Sequence, residues 1–163
     1  MESVCPQVIA PLDPGFVPAS LWTRQYRERL AAAGGGEPLA LALRRPNGSV
    51  SVVTTATLQH QGSNMRPNEL HVERLLKFLL WQSGGCHVTV AGPSWAYDLL
   101  RSVYSPTGAR AFDYDFMGDR IYGRPMEFEH TSFALCPAAS ENTSALGRHL
   151  DGCRIGFDLG GSD

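Results

Sequence analysis

The sequence is short of several things, and each shortage narrows its class before any motif is sought. Lysine is nearly absent: thirteen of the fourteen cationic side chains are arginine, and Lys77 is the only lysine. Against 16 acidic residues those 14 cations leave a net charge of −2. The chain therefore lacks the cationic excess with which binders of nucleic acid or anionic membrane neutralise phosphate. No apolar run approaches the roughly 20 residues that a spanning helix needs. At 43% hydrophobic and 18% charged residues the composition is that of a folded globular chain. Met1 to Pro6 holds neither a basic nor a long apolar region, and Cys5, Cys86, Cys136 and Cys153 are widely spread with no Cys-x-x-Cys pair. A cytoplasmic, reduced protein that binds neither nucleic acid nor membrane is the expectation; oligomeric state is left open.

What is present organises into one domain and the beginning of a second, the most that 163 residues allow. Residues 1–19 carry Pro6, Pro11, Pro14 and Pro18 without a sustained apolar period, which predicts an extended N-terminal arm. Ser20 is a candidate N-cap for a helix with Trp22, Tyr26, Leu30 and Ala33 on one side, ended by Gly34-Gly35-Gly36. Leu39, Leu41 and Leu43 alternate with smaller residues, Pro46-Asn47-Gly48 supplies a turn, and Val50 to Thr55 is nearly all β-branched, so a β-hairpin follows. Pro67 opens a second helix that runs to Gln82 and ends at Gly84-Gly85. Its main stripe is Val72, Leu75, Leu76 and Leu79; Leu70, Phe78 and Trp81 project from the other side and are expected to find cover, and Glu73 pairs with Lys77 one turn on.

Cys86, Val88 and Val90 predict a strand, and Ser94 caps a helix with Trp95, Ala96, Leu99, Leu100 and Val103 on one wide face. Residues 105–123 are turn-rich, Met126 to His130 is another strand, and 136–150 is a linker of small and polar residues. The succession predicts an α/β fold over residues 20–135: a small mixed sheet with a β-hairpin and packed amphipathic helices.

Two chemical readings of the interior are weak. Asp113, Asp115 and Gly118 imitate the opening of a Ca²⁺ loop, but Met117 and Arg124 stand where oxygen ligands are required. Phe112, Tyr114 and Phe116 are instead expected to pack on one side with the carboxylates in water. Among Cys86, His87, Cys136, His149 and Cys153 no zinc spacing exists beyond His149 and Cys153, and Gly152 interrupts that pair. Cys86 falls in a buried strand as a neutral thiol; His60 and His71 are expected in a loop or on a helix surface.

The stretch Arg154-Ile155-Gly156-Phe157-Asp158-Leu159-Gly160-Gly161-Ser162-Asp163 is different. Ile155, Phe157 and Leu159 alternate as in a strand, and Asp158 lies on the opposite face just before two glycines and a hydroxyl. Glycines let main-chain N–H groups approach a polyphosphate, and a carboxylate is tolerated beside phosphate when Mg²⁺ or its water shell lies between. This segment resembles the first phosphate motif of the sugar-kinase, heat-shock-protein and actin superfamily, and within it is similar to the ROK family of sugar kinases and repressors. Glu73 to Gly85 and Phe112 to Gly118 also look like the long N-terminal extension of an atypical branch of that family.

The resemblance implies that 151–163 is the first strand of an actin-like (ribonuclease H-like) ATPase domain. It implies ATP and Mg²⁺ as cofactors, with Gly160 and Gly161 cradling phosphate, Asp158 near the metal ion and Ser162 as the hydroxyl contact. Asp163 departs from the pattern, since a second acid repels phosphate unless it points away. The family's catalytic Asp, sugar-binding Asn-Asp pair and second phosphate motif are not among these residues. The expectation is an N-terminal fragment of an ATP-dependent sugar kinase, not catalytically competent alone, whose partners in the full-length protein are a nucleotide and a sugar. A non-catalytic ROK-like sensor and a stand-alone interaction domain are the alternatives. A repressor is disfavoured, because such proteins begin with a winged helix-turn-helix, whereas here a hairpin precedes the main helices and charge is balanced.

Overall fold

The computed structural model describes residues 6–142. Alternation of large and small residues makes β1 (Glu37–Arg44), and the chain reverses into β2 (Val50–Thr57) through a turn in which Asn47 Oδ1 accepts the Ser49 N–H at 3.0 Å. The two strands pair antiparallel with Leu41 opposite Val53. Strand β3 (His87–Ala91) pairs antiparallel with β1, and β4 (Glu127–Thr131) parallel with β3, giving the order β2-β1-β3-β4. The mixed α/β architecture agrees with the sequence pattern. A parallel neighbour demands a crossover; here it contains α3 (Ser94–Val103), α4 (Ala111–Asp115) and a π-helical turn over Phe116–Arg120.

Helices α1 (Ala19–Ala32) and α2 (Met65–Ser83) complete the layer. Val72, Leu76, Leu79 and Leu80 of α2 and Ala96 and Leu100 of α3 close over Leu39, Leu41, Leu43, Val88 and Val90, all buried in one cluster. Gly85 permits the turn from α2 into β3: its φ is +144°, and a Cβ would meet Leu43 Cγ at 2.6 Å. A smaller cluster of Trp22, Tyr26 and Leu58 ties α1 to the end of β2. There the Tyr26 hydroxyl donates to Asn68 Oδ1 at 2.7 Å, and Asn68 Nδ2 donates to the Leu58 carbonyl at 2.8 Å. These bonds satisfy the fully buried amide of Asn68.

The middle of the opposite face of β1 and β3 is built from small residues. Ala40, Ala42, Thr89 and Ala91 are all buried there, although no described helix covers them; the 3₁₀ turn Phe133–Leu135 contacts β1 and β3. The chain then continues toward the far edge, where Ser140 exchanges two main-chain hydrogen bonds with Val50, at 2.8 and 2.9 Å. Asn142 is anchored to the hairpin turn, its N–H donating to Ser49 Oγ at 2.9 Å and its Nδ2 to the Asn47 carbonyl at 2.7 Å. The stretch expected to be a linker from Cys136 onward is thus bonded to the sheet as far as Asn142.

Several local expectations are corrected. Pro18 and Pro93, not Ser20 and Ser94, precede the first turns of α1 and α3, and neither cap residue makes a side-chain capping bond. Residues 111–120 are helical rather than turn-like. Tertiary packing decides this: Met117 and Gly118 are buried, and a Cβ on Gly118 would meet Met126 N at 2.9 Å. Glu73 does not pair with Lys77 but with Arg110, which reaches across from the segment before α4.

Candidate functional site

Asp158, Gly160, Gly161 and Ser162 lie outside the described residues, as do His149, Cys153 and Cys5. Within the described residues, Asn142 is held beside the β1–β2 turn. Arg45 reinforces that anchor, its Nη2 lying 3.2 Å from Glu141 Oε1.

The most elaborate polar constellation in the described residues joins α2 to the crossover. Glu73 is hydrogen-bonded to Arg110 Nε, and Arg110 Nη1 lies 3.9 Å from the buried Asp113. Asp113 also accepts the Trp81 indole N–H at 2.7 Å, and the Tyr104 hydroxyl donates to the Glu73 carbonyl at 3.3 Å. The hydrogen bond that Arg110 donates to Glu73 raises the Arg110 pKa further, while burial, with Glu73 and Asp113 nearby, holds the Tyr104 phenol protonated. All members are partnered, so the cluster clamps α4 onto α2 and leaves no group free for proton transfer. Asp113 therefore does not face water as expected. Only Phe112 and Phe116 share a side, their rings 5.4 Å apart, while Tyr114 faces a separate groove. A helix sets residues four apart on one face and those two apart on different faces.

Above this clamp the aromatic residues are uncovered. Trp81 stacks on Phe116 at 5.6 Å between ring centroids. Phe78, Trp81 and Phe112 remain 63%, 50% and 62% exposed; of the residues expected to find cover on the second side of α2, Leu70 packs against Trp22, Tyr26 and Leu58 while Phe78 and Trp81 do not find it. Their neighbourhood was not legible in sequence, because nothing in the local pattern announces that α4 lands beside Trp81.

The histidines are packed rather than loosely exposed. His71 stacks against Tyr26 at 4.3 Å, with Nε2 3.0 Å from Thr55 Oγ1. Burial, then the charge of Arg27, depresses its pKa to about 4. His60 lies flat on Trp95 at 3.9 Å. His87, on the small-residue face, stands 3.1 Å from Glu127 Oε2 and 3.2 Å from Glu129 Oε2. Cys86 is buried and its thiol pKa is pushed up by burial, in keeping with an inert thiol. Among the described residues no three His, Cys, Asp or Glu side chains converge as a metal-ligand set, and no helix is long and apolar enough to cross a membrane. No family model, curated protein or solved structure matches the chain.

Proposed function

We propose that the chain is the N-terminal part of a ROK-like, ATP-dependent sugar kinase, in which an accessory α/β domain precedes the opening phosphate loop of the nucleotide-binding fold. One observation carries this reading: an alternating apolar strand, Ile155, Phe157 and Leu159, that runs into Asp158-Leu159-Gly160-Gly161-Ser162. In this account the Gly160 and Gly161 amides hold phosphate oxygens, Ser162 adds a hydroxyl contact and Asp158 holds water around Mg²⁺. MgATP would supply the phosphoryl group, and the accessory domain precedes the loop in the chain. Phosphoryl transfer also needs a positioned sugar hydroxyl and a base, which this segment does not supply.

The test is sugar-dependent release of ADP by a full-length protein bearing these residues at its N-terminus. Gly161→Val and Asp158→Asn are expected to lower kcat/KM at least a hundredfold, while the 163-residue chain binds MgATP only weakly. Unchanged turnover in both variants overturns the assignment. A second reading, an interaction domain without catalysis, is favoured by the exposed aromatic surface of Phe78, Trp81 and Phe112. It predicts no ADP release with any sugar.

A further inference from the structure

Strand β4 is an edge of the sheet that no described segment pairs with, whereas the β2 edge holds Ser140 at Val50. In its parallel ladder with β3, Glu127 N–H donates to the Cys86 carbonyl at 2.8 Å and the Thr131 carbonyl accepts from Gly92 N–H at 3.0 Å. Inward and outward main-chain groups alternate along a strand, so Glu127, Glu129 and Thr131 bond to β3 while the N–H and C=O groups of Phe128 and His130 face out. No described segment pairs with them.

On the helix side of this edge lies a groove of two adjoining cavities, about 370 and 430 Å³, which share Pro106 and Tyr114. Phe128 belongs to both the edge and the groove wall, opposite Tyr97 and Arg101 of α3. On the other side of the same edge Glu127 and Glu129, with the His87 ring between them, extend side chains that are 67% and 60% exposed and keep one oxygen each turned from that ring. The edge therefore offers three separate kinds of recognition: main-chain donors and acceptors, an aromatic trough on one side, and two carboxylates on the other.

We propose that the β4 edge is a docking site for an extended polypeptide of a partner protein, added as a fifth strand, with aromatic side chains that carry a polar tip at alternate positions in the groove beside Phe128 and Arg101 and basic side chains between them against Glu127 and Glu129. An added strand fits because its side chains alternate with a period of two, which matches the two unlike sides of this edge. A second copy of the chain fits poorly. The antiparallel register that overlaps both five-residue strands fully sets Glu129 against the same residue of the other copy, and like charges directly opposite are destabilising. The proposal does not depend on the phosphate loop.

The experiment uses the 163-residue chain and a labelled peptide of alternating lysine and tyrosine, followed by fluorescence anisotropy and by amide shifts in NMR. Saturable binding is expected, with the largest shifts at the Phe128 and His130 amides. The double charge reversal Glu127→Lys, Glu129→Lys should weaken it at least tenfold, and a peptide with glutamate in place of lysine should restore it. N-methylation of the peptide's edge-facing amides should abolish binding. Both substitutions are on exposed side chains, and circular dichroism checks that the variant is folded. Four results overturn the proposal: no binding, binding indifferent to charge reversal, dimerisation through β4 in sedimentation, or Phe128 and His130 amides already protected in the free monomer.

Discussion

On one face of the sheet Leu39, Leu41, Leu43, Val88 and Val90 meet two helices; on the other, Ala40, Ala42, Thr89 and Ala91 lie beneath a single extended segment. The difference lies in the size of what projects from each strand. Leucine and valine side chains hold a helix at the distance where both sets interdigitate, whereas the three alanines let main chain approach closely. Stability is therefore expected to be unequal: the helix face supplies most of the buried apolar area, and the strap, bonded to the hairpin through Ser140 and Asn142, supplies position. The strap buys little core, since Phe133 and Leu135 remain 40% and 72% exposed.

The comparison can be broken first on the helix face. Leu76 is fully buried, and Leu76→Ala should cost about 2–5 kcal/mol in denaturant unfolding; a loss below 1 kcal/mol would mean the core is loosely packed. On the strapped face the opposite change is informative. Ala42→Leu should cost about 1–3 kcal/mol by overpacking. It should also free the segment, so that the Val50 amide, bonded to Ser140 at 2.8 Å, loses exchange protection while the helix face keeps it.

The third prediction concerns pH. The folded pKa of His71 is depressed to about 4 from an ordinary 6.5. Between these values the unfolded chain binds the proton and the folded chain does not, so this contribution is fully present above pH 6.5 and is lost as pH falls toward 4. The loss should be on the order of 2 kcal/mol after allowance for partial exposure, and His71→Phe should flatten that part of the stability profile. Smallest is Arg45→Ala, which removes a half-exposed pair with Glu141. It should cost at most about 1 kcal/mol, yet speed exchange of the Asn142 amide.

Much of the fold was legible in the sequence because each element announces itself locally. The hairpin follows from alternating leucines around Asn47-Gly48, α2 from a stripe between Pro67 and Gly84, and β3 from Val88 and Val90. What was not legible depends on contacts far apart in the chain. Glu73 faces both Lys77, a neighbour in sequence, and Arg110, a neighbour in space, and the buried partner wins. His71 reads as a surface residue until Tyr26 arrives from α1 to stack on it. The turn-like composition of 111–120 hid a helix that exists because Asp113 and Phe116 meet Trp81. The candidate phosphate loop was legible only as a motif, and its residues lie beyond those the structure describes.

The proposed phosphate loop, Asp158 to Ser162, would wrap main-chain amides around a nucleotide. Calorimetric titration of MgATP into the full-length protein is the sharpest test, with wild type compared against Gly160→Val. Saturable binding that the substitution abolishes, while thermal unfolding of the accessory domain stays unchanged, is the predicted result. Equal affinity in both proteins would contradict it.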